Sequence, residues 1–463
     1  MKLPQRFNWF APLAVLALIL VFFARLAFTN LILARGDTYV YFYPYWQAAS
    51  AALRAGRLPL WNDLLFMGAP FMANSQVGLL YPPNWPPWLL APDTPTAVKW
   101  SILLHLAWAG LGTFLLLRVP LRLGAFAAWA GAALFTVGGH LTVHVEQINQ
   151  LQGLSWLPWL CLLLALSREM PWRWGPLLAG ALALQLLSGH MQTVFISLVG
   201  LGVMALWWGW RDGSDGSARH WRPLITLALA GIAAIPLILP QLAPMLELSG
   251  LSNRSGGLAF DEVISFSLHP ALIGRTLLPG YDMALPGEYS GTLGVAGLAL
   301  AVIGAWAARK DPRWSAWIVM AALGLFLAPG GWNPVYWLLG RLPGFNLFRV
   351  PARWLVLWAL GGSVLAAYAV QHLTDSRPPR RLAVAVAAVV ILLVASAYLA
   401  PSGARQDGGA GQRWRPWPCL SCSPPRDRCR TTIRQRPMPS PQRDPPPTSF
   451  SLTRTIQSLL AAS

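Results

Sequence analysis

Charge is scarce in this sequence. Asp, Glu, Lys and Arg make up 11% of its 463 residues, against about a quarter in soluble globular proteins. That excludes a soluble fold of this length. Cysteine is sparse too. Of the four, Cys161 falls in an apolar run, and Cys419, Cys422 and Cys429 fall in a terminal tail. The CxxC at Cys419 and Cys422 has no second ligand pair at zinc spacing, so it carries little weight as a metal site. No cleavable leader is expected from the first residues. The first apolar run is too long for a signal segment and has no clear cleavage site, so it reads as a first span.

Apolar residues are plentiful, at 55%, and 25 of the residues are Trp. Runs of about twenty apolar residues recur, the length that crosses a hydrocarbon core of about 30 Å. Trp suits the interfacial belts of such a protein. The sequence therefore predicts an all-α polytopic membrane protein with about eleven transmembrane helices. They fall near 10–33, 100–117, 122–139, 153–167, 174–188, 191–210, 223–246, 291–308, 314–328, 352–372 and 381–400.

The net charge of +18 is not a nucleic-acid footprint. Its bases stand in short clusters between apolar runs: Lys2 and Arg6, Arg118 and Arg122, Arg168 and Arg173, Arg211 to Arg222, Arg309 to Arg313, Arg377 to Arg381. Basic loops face the cytoplasm, which sets the N-terminus inside. The large loops 34–99, 247–290 and 329–351 then lie outside. They hold Asp37, Asp63, Asp93, Glu247, Asp261, Glu262, Asp282 and Glu288, so any chemistry faces away from the cytoplasm. Residues 1–400 form the membrane domain. Residues 401–463 change abruptly to Arg, Pro and Ser, which reads either as a disordered tail or as a shifted reading frame.

Polar residues stand out against this background. Asp37 leaves the first span and precedes a run of aromatics and an interfacial helix. It is either a catalytic acid or a helix cap. His140 and His144 share a face if helical. Zinc needs about three protein ligands, and Glu146 lies off that face, so these histidines are read either as hydrogen-bonding groups for a sugar or phosphate or as simple interfacial polarity. His190 and Gln192 interrupt an apolar stretch, where polar groups are costly and need partners. Arg349 and Arg353 flank Pro351; their planar forks suit phosphate, and snorkelling is the plainer alternative. Glu288 either pairs with one of these arginines or holds an acceptor.

Four of these stretches, taken in order, resemble the bacterial YfhO-like membrane proteins, relatives of the GT-C class of integral membrane glycosyltransferases. The first combines Asp37, Tyr43–Pro44, "GRLPLWN" (56–62), "GAP" (68–70) and Tyr81–Pro82. The others are "SGHMQ" (188–192), "GEYSGTLG" (287–294) and "LPGFNLFRVPARW" (342–354). The resemblance covers about residues 10–400. It implies a GT-C-like architecture whose large outer loops carry interfacial helices. It also implies transfer of a sugar from a polyprenyl-phosphate carrier to an extracytoplasmic glycan, polymer or lipid acceptor at a bacterial cytoplasmic membrane. Asp37 would be the base that takes the acceptor's proton. Arg349 and Arg353 would clamp the donor phosphate, and His140, His144, His190, Gln192 and Glu288 would line the cavity. No cofactor is assigned. Many GT-C enzymes carry two nearby acids where this chain has one, so a divalent metal finds no support. A non-catalytic flippase of lipid-linked sugars, or a membrane partner of another glycosyltransferase, needs the same loops without a base.

Overall fold

The apolar runs are helices. The computed structural model describes residues 10–33, 36–65, 67–212, 218–252, 255–278 and 287–375, which belong to one unit, Met1–Gln406. The main helices are α1 (Phe10–Phe22), α2 (Tyr43–Arg54), α3 (Thr94–Arg118), α4 (Ala125–Thr136), α5 (Ile148–Ser167), α6 (Pro171–Leu187), α7 (Met191–Asp212), α8 (Arg222–Gly250), α9 (Gly294–Ala308), α10 (Pro312–Leu327) and α11 (Leu355–Asp375).

Local chemistry marks several helix starts. Asp93 accepts from the Thr96 amide at 2.7 Å, and Asp311 from the Arg313 amide at 2.9 Å. Each satisfies an amide that the first helical turn leaves free, and a proline follows within two residues, where a missing N–H costs nothing.

Seven stretches are long and apolar enough to cross a membrane: Thr94–Arg118, Ala125–Glu146, Ile148–Ser167, Met191–Arg211, Arg222–Gly250, Gly287–Ala308 and Pro351–Asp375. Shorter apolar helices are α1, with 13 residues, and α10, with 16. Thirteen residues rise only about 20 Å; the run expected over 10–33 is broken at Phe23, and a second short helix, Ala24–Phe28, follows. The expected span 381–400, the tail 401–463 with its three cysteines, and Asp282 lie outside the described residues.

Burial sorts the helices. Of the apolar stretch of α5, 89% is buried inside the protein, and of that ending in α11, 83%. A helix apolar all round belongs at the centre. At the edge, only 33% of the α8 stretch is buried. Its Ile225, Leu229, Ile232, Leu239 and Leu246 are exposed at helical spacing and form one apolar stripe. Ala230, Ala234, Ile238 and Gln241 face inward. Such an outer stripe is compatible with lipid contact.

Helices α9 and α11 meet through a small residue. A Cβ on Gly304 would collide with the carbonyl oxygen of Leu365. Close approach of backbones through small residues is how apolar helices associate without a hydrophobic drive between them. Gly304→Val should therefore force the pair apart and lower thermal stability by about 1–3 kcal/mol, the usual cost of overpacking. Thermal unfolding of the purified variant reads this out; native-like stability would show that the contact yields cheaply.

The first outer loop is compact. After a π-helical turn, Thr38–Phe42, α2 buries Trp46, Ala49 and Ala52. It ends at Gly56, whose φ of +68° is left-handed. A two-stranded antiparallel hairpin follows, β1 (Trp61–Asn62) with β2 (Ala69–Pro70). The all-helical expectation did not foresee it. A buried polar network then fastens the loop to the bundle. Tyr81 Oη lies 2.9 Å from His105 Nε2 and accepts from Trp156 Nε1 at 2.8 Å, while Gln152 donates to Asn84 Oδ1 at 2.6 Å.

Candidate functional site

Three backbone features bring distant segments together at one end of the bundle. The first is the turn at 188–190. Gly189 has φ +91°, and a Cβ there would collide with the Ser75 carbonyl oxygen, so the first outer loop packs directly on this turn and sets where His190 stands. The second is the bend before α11. Val350 has φ +65°, a region that disfavours β-branched side chains, and it precedes a proline, which restricts it further. The Gln192 amide holds this bend by donating to the Arg349 carbonyl at 2.6 Å and the Val350 carbonyl at 3.3 Å. The third is a strap. The Gly139 amide donates to the Thr292 carbonyl at 2.9 Å, and His140 Nδ1 donates to the Ser290 carbonyl at 2.9 Å.

Together they assemble a buried ion-pair network around Arg353. Its Nε lies 3.1 Å from both carboxylate oxygens of Glu288, and its Nη2 lies 2.6 Å from Oε1. Nη1 donates to Gln192 Oε1 at 2.8 Å and to His190 Nε2 at 3.2 Å. The Arg353 and Glu288 side chains are only 16% and 14% exposed, so a one-sided loss would strand a charge. The guanidinium has five N–H donors, and this network leaves one, on Nη2, to spare.

His144 closes the network. Its Nδ1 faces the His140 carbonyl at 2.6 Å, and its Nε2 lies 3.2 Å from Glu288 Oε2. A carbonyl only accepts, so Nδ1 is the donor there. Nε2 then faces the Glu288 carboxylate. The rings of His140 and His144 are 4.6 Å apart, as the shared face required. His140 Nε2 is buried and has no hydrogen-bond partner among the described residues.

His190 enters the network neutral. The guanidinium only donates, so Nε2 must accept. Burial first, and the Arg353 charge next, hold the ring well below the ordinary histidine pKa of 6.5. The sign of the linkage follows. As pH falls below 6.5, the unfolded chain takes up a proton that the folded chain refuses. Stability should be full above that value and fall below it, by up to about 1.4 kcal/mol per pH unit. Unfolding temperatures measured from pH 7 to pH 5 should drop less steeply in His190→Gln than in the native protein; equal slopes would deny His190 this role.

The sequence-derived candidates thus divide. Arg353, Glu288, His144, His190 and Gln192 are in direct contact, and His140 sits beside them. Arg349 does not join: its side chain is exposed, and its backbone carbonyl serves Gln192. The left-handed bend at Val350 separates the two arginines expected to act together. Asp37 is exposed and makes no side-chain capping bond, so the cap it was offered is not made. Its neighbour Thr38 is fully buried and donates to the Glu146 carbonyl at 2.5 Å, two residues beyond His144. Thr38 and Thr193, whose Oγ1 lies 2.6 Å from His190 Nδ1, carried no signal in the sequence; small polar residues are common and show nothing until a partner is placed. Among the described residues no three His, Cys, Asp or Glu gather as metal ligands would.

A cavity of about 240 Å³ lies beside the strap, lined by Leu134, Val137, Gly138, Gly139 and residues 292–294. Its walls are mostly apolar, and two of its residues, Gly139 and Thr292, are the bonded pair next to His140 and Ser290. No family model matches the sequence, and no curated protein matches it.

Proposed function

We propose that this chain is a polytopic membrane glycosyltransferase of GT-C-like architecture and YfhO-like kinship, with about eleven spans. It moves a sugar from a polyprenyl-phosphate carrier to an extracytoplasmic glycan, polymer or lipid acceptor at a bacterial cytoplasmic membrane, its N-terminus inside. The observation that carries this reading is the Thr38 bond to Glu146. It ties the loop of the exposed Asp37 to the segment that bears His144, and so to the network of Glu288 and Arg353. An exposed carboxylate whose loop is tied to this polar network is suited to take a proton from an acceptor hydroxyl.

The roles differ from a simple phosphate clamp. Arg353 has one N–H to spare and acts mainly as a positioning residue that holds Glu288, Gln192 and His190. Arg349, exposed at the same bend, is the better partner for a donor phosphate. The apolar cavity beside His140 suits a short length of isoprenoid chain. The test is release of free polyprenyl phosphate from a panel of polyprenyl-phosphate sugars by the protein in lipid, with cell-envelope acceptor present. Release identifies the donor. No release, together with movement of the lipid-linked sugar across vesicles, overturns the enzyme reading in favour of a flippase, for which buried ionisable groups are equally apt.

A further inference from the structure

The β1–β2 hairpin holds large apolar side chains open to its surroundings. Leu64 is 88% exposed and Met67 fully exposed, and Leu58, Leu60 and Trp61 are about half exposed. Local bonds fix the tip all the same. Asn62 Oδ1 accepts from the Leu64 amide at 3.0 Å, and the Gly68 amide donates to the Leu65 carbonyl at 2.7 Å. A Cβ on Gly68 would lie 2.6 Å from Trp61 Nε1, so the indole ring crosses the turn at the one residue type that admits it. Met67 takes φ +62°, a conformation uncommon outside glycine. The described tip residues thus present an apolar surface outward.

A contact with α8 marks its level along the bundle. Gln241 of α8 donates to the Met72 carbonyl at 2.7 Å, two residues past β2. Gln241 is nineteen residues from Arg222, the basic start of α8, which at 1.5 Å per residue is roughly 28 Å. That is about the thickness of a hydrocarbon core. The hairpin therefore stands at the far interface, next to the helix whose apolar stripe is the most open to lipid. Arg57, exposed at the base of the hairpin, is placed to meet lipid phosphates. Asp63, exposed in the turn, limits the depth to the headgroup and upper acyl region, because a carboxylate there keeps its water.

We infer that the tip of this hairpin, led by Leu64, Trp61 and Met67, inserts into the bilayer interface beside α8. Its partner is a lipid surface. The chain runs from Met72 to Ser75, which packs on Gly189 beside His190. The hairpin thereby holds the first outer loop, and with it the site, at the level of the headgroups.

This inference rests on the membrane reading, and the test separates the two. A spin label is placed by Met67→Cys, or by Leu64→Cys, with Cys419, Cys422 and Cys429 changed to Ser and the buried Cys161 left alone. A control label is placed by Ile232→Cys on the α8 stripe. Each purified protein is reconstituted in phospholipid vesicles, and collisions with oxygen and with a water-soluble nickel chelate are measured. The inference expects a severalfold excess of oxygen over nickel collisions at Met67 and Leu64, as at Ile232. Nickel access at both hairpin sites with oxygen excess at Ile232 overturns it and leaves the membrane reading intact. Nickel access at Ile232 as well overturns both. Hairpin labels immobile and shielded from both reagents indicate a protein contact instead, which also overturns it.

Discussion

Glu288→Gln should unfold far more easily than the native protein. The substitution preserves shape and removes the charge that faces Arg353 at 2.6 Å. Both side chains are mostly buried, so the guanidinium is left as an uncompensated cation. Breaking such a pair from one side costs about 3–5 kcal/mol, read as a lower unfolding temperature. Arg353→Lys should lose a large part of the same amount, because a single ammonium cannot hold Glu288, Gln192 and His190 at once. Removing both charges, with Glu288→Gln and Arg353→Met together, should recover much of the loss, since the cost lies in the stranded charge rather than in the missing pair. If each single variant melts with the native protein, the carboxylate and guanidinium are not paired in the membrane, and the network around Arg353 falls with them.

Asp37→Asn should have the opposite profile. The side chain is exposed and caps no helix, so its removal should leave the unfolding temperature unchanged. Transfer from a polyprenyl-phosphate sugar should fall by about 10²–10⁴-fold, the usual contribution of a general base. Stability kept and transfer lost is the signature of a residue that serves chemistry alone. Full transfer by a normally inserted Asp37→Asn protein would remove Asp37 from the reaction.

Much of the site was legible as residue types. Glu288, His144, His190, Gln192 and Arg353 each interrupt an apolar background, where a polar group without a partner is expensive. That cost is local, so the sequence marks each one singly. The pairing of Glu288 with an arginine was anticipated as one possibility, and so was the shared face of His140 and His144, because a helix repeats every 3.6 residues. The separation of Arg349 from Arg353 was not. It depends on a left-handed residue at Val350, which a β-branched type gives no cause to expect. The hairpin was missed for a related reason: two residues per strand are too few to show an alternating pattern.

The sequence by itself determined that this is a chain of apolar helices with most of its acids in the segments between them. Both properties are additive along the chain: span length comes from the thickness of a hydrocarbon layer, and polar placement from the cost of charge inside it. The tertiary structure alone decided which of those polar groups meet. Arg353 is separated by 65 residues from Glu288 and by 163 from His190. No local preference acts over such distances. The meeting is made by backbone geometry at Gly189 and Val350 and by the packing of α9 against α11, and these exist only once the helices have docked.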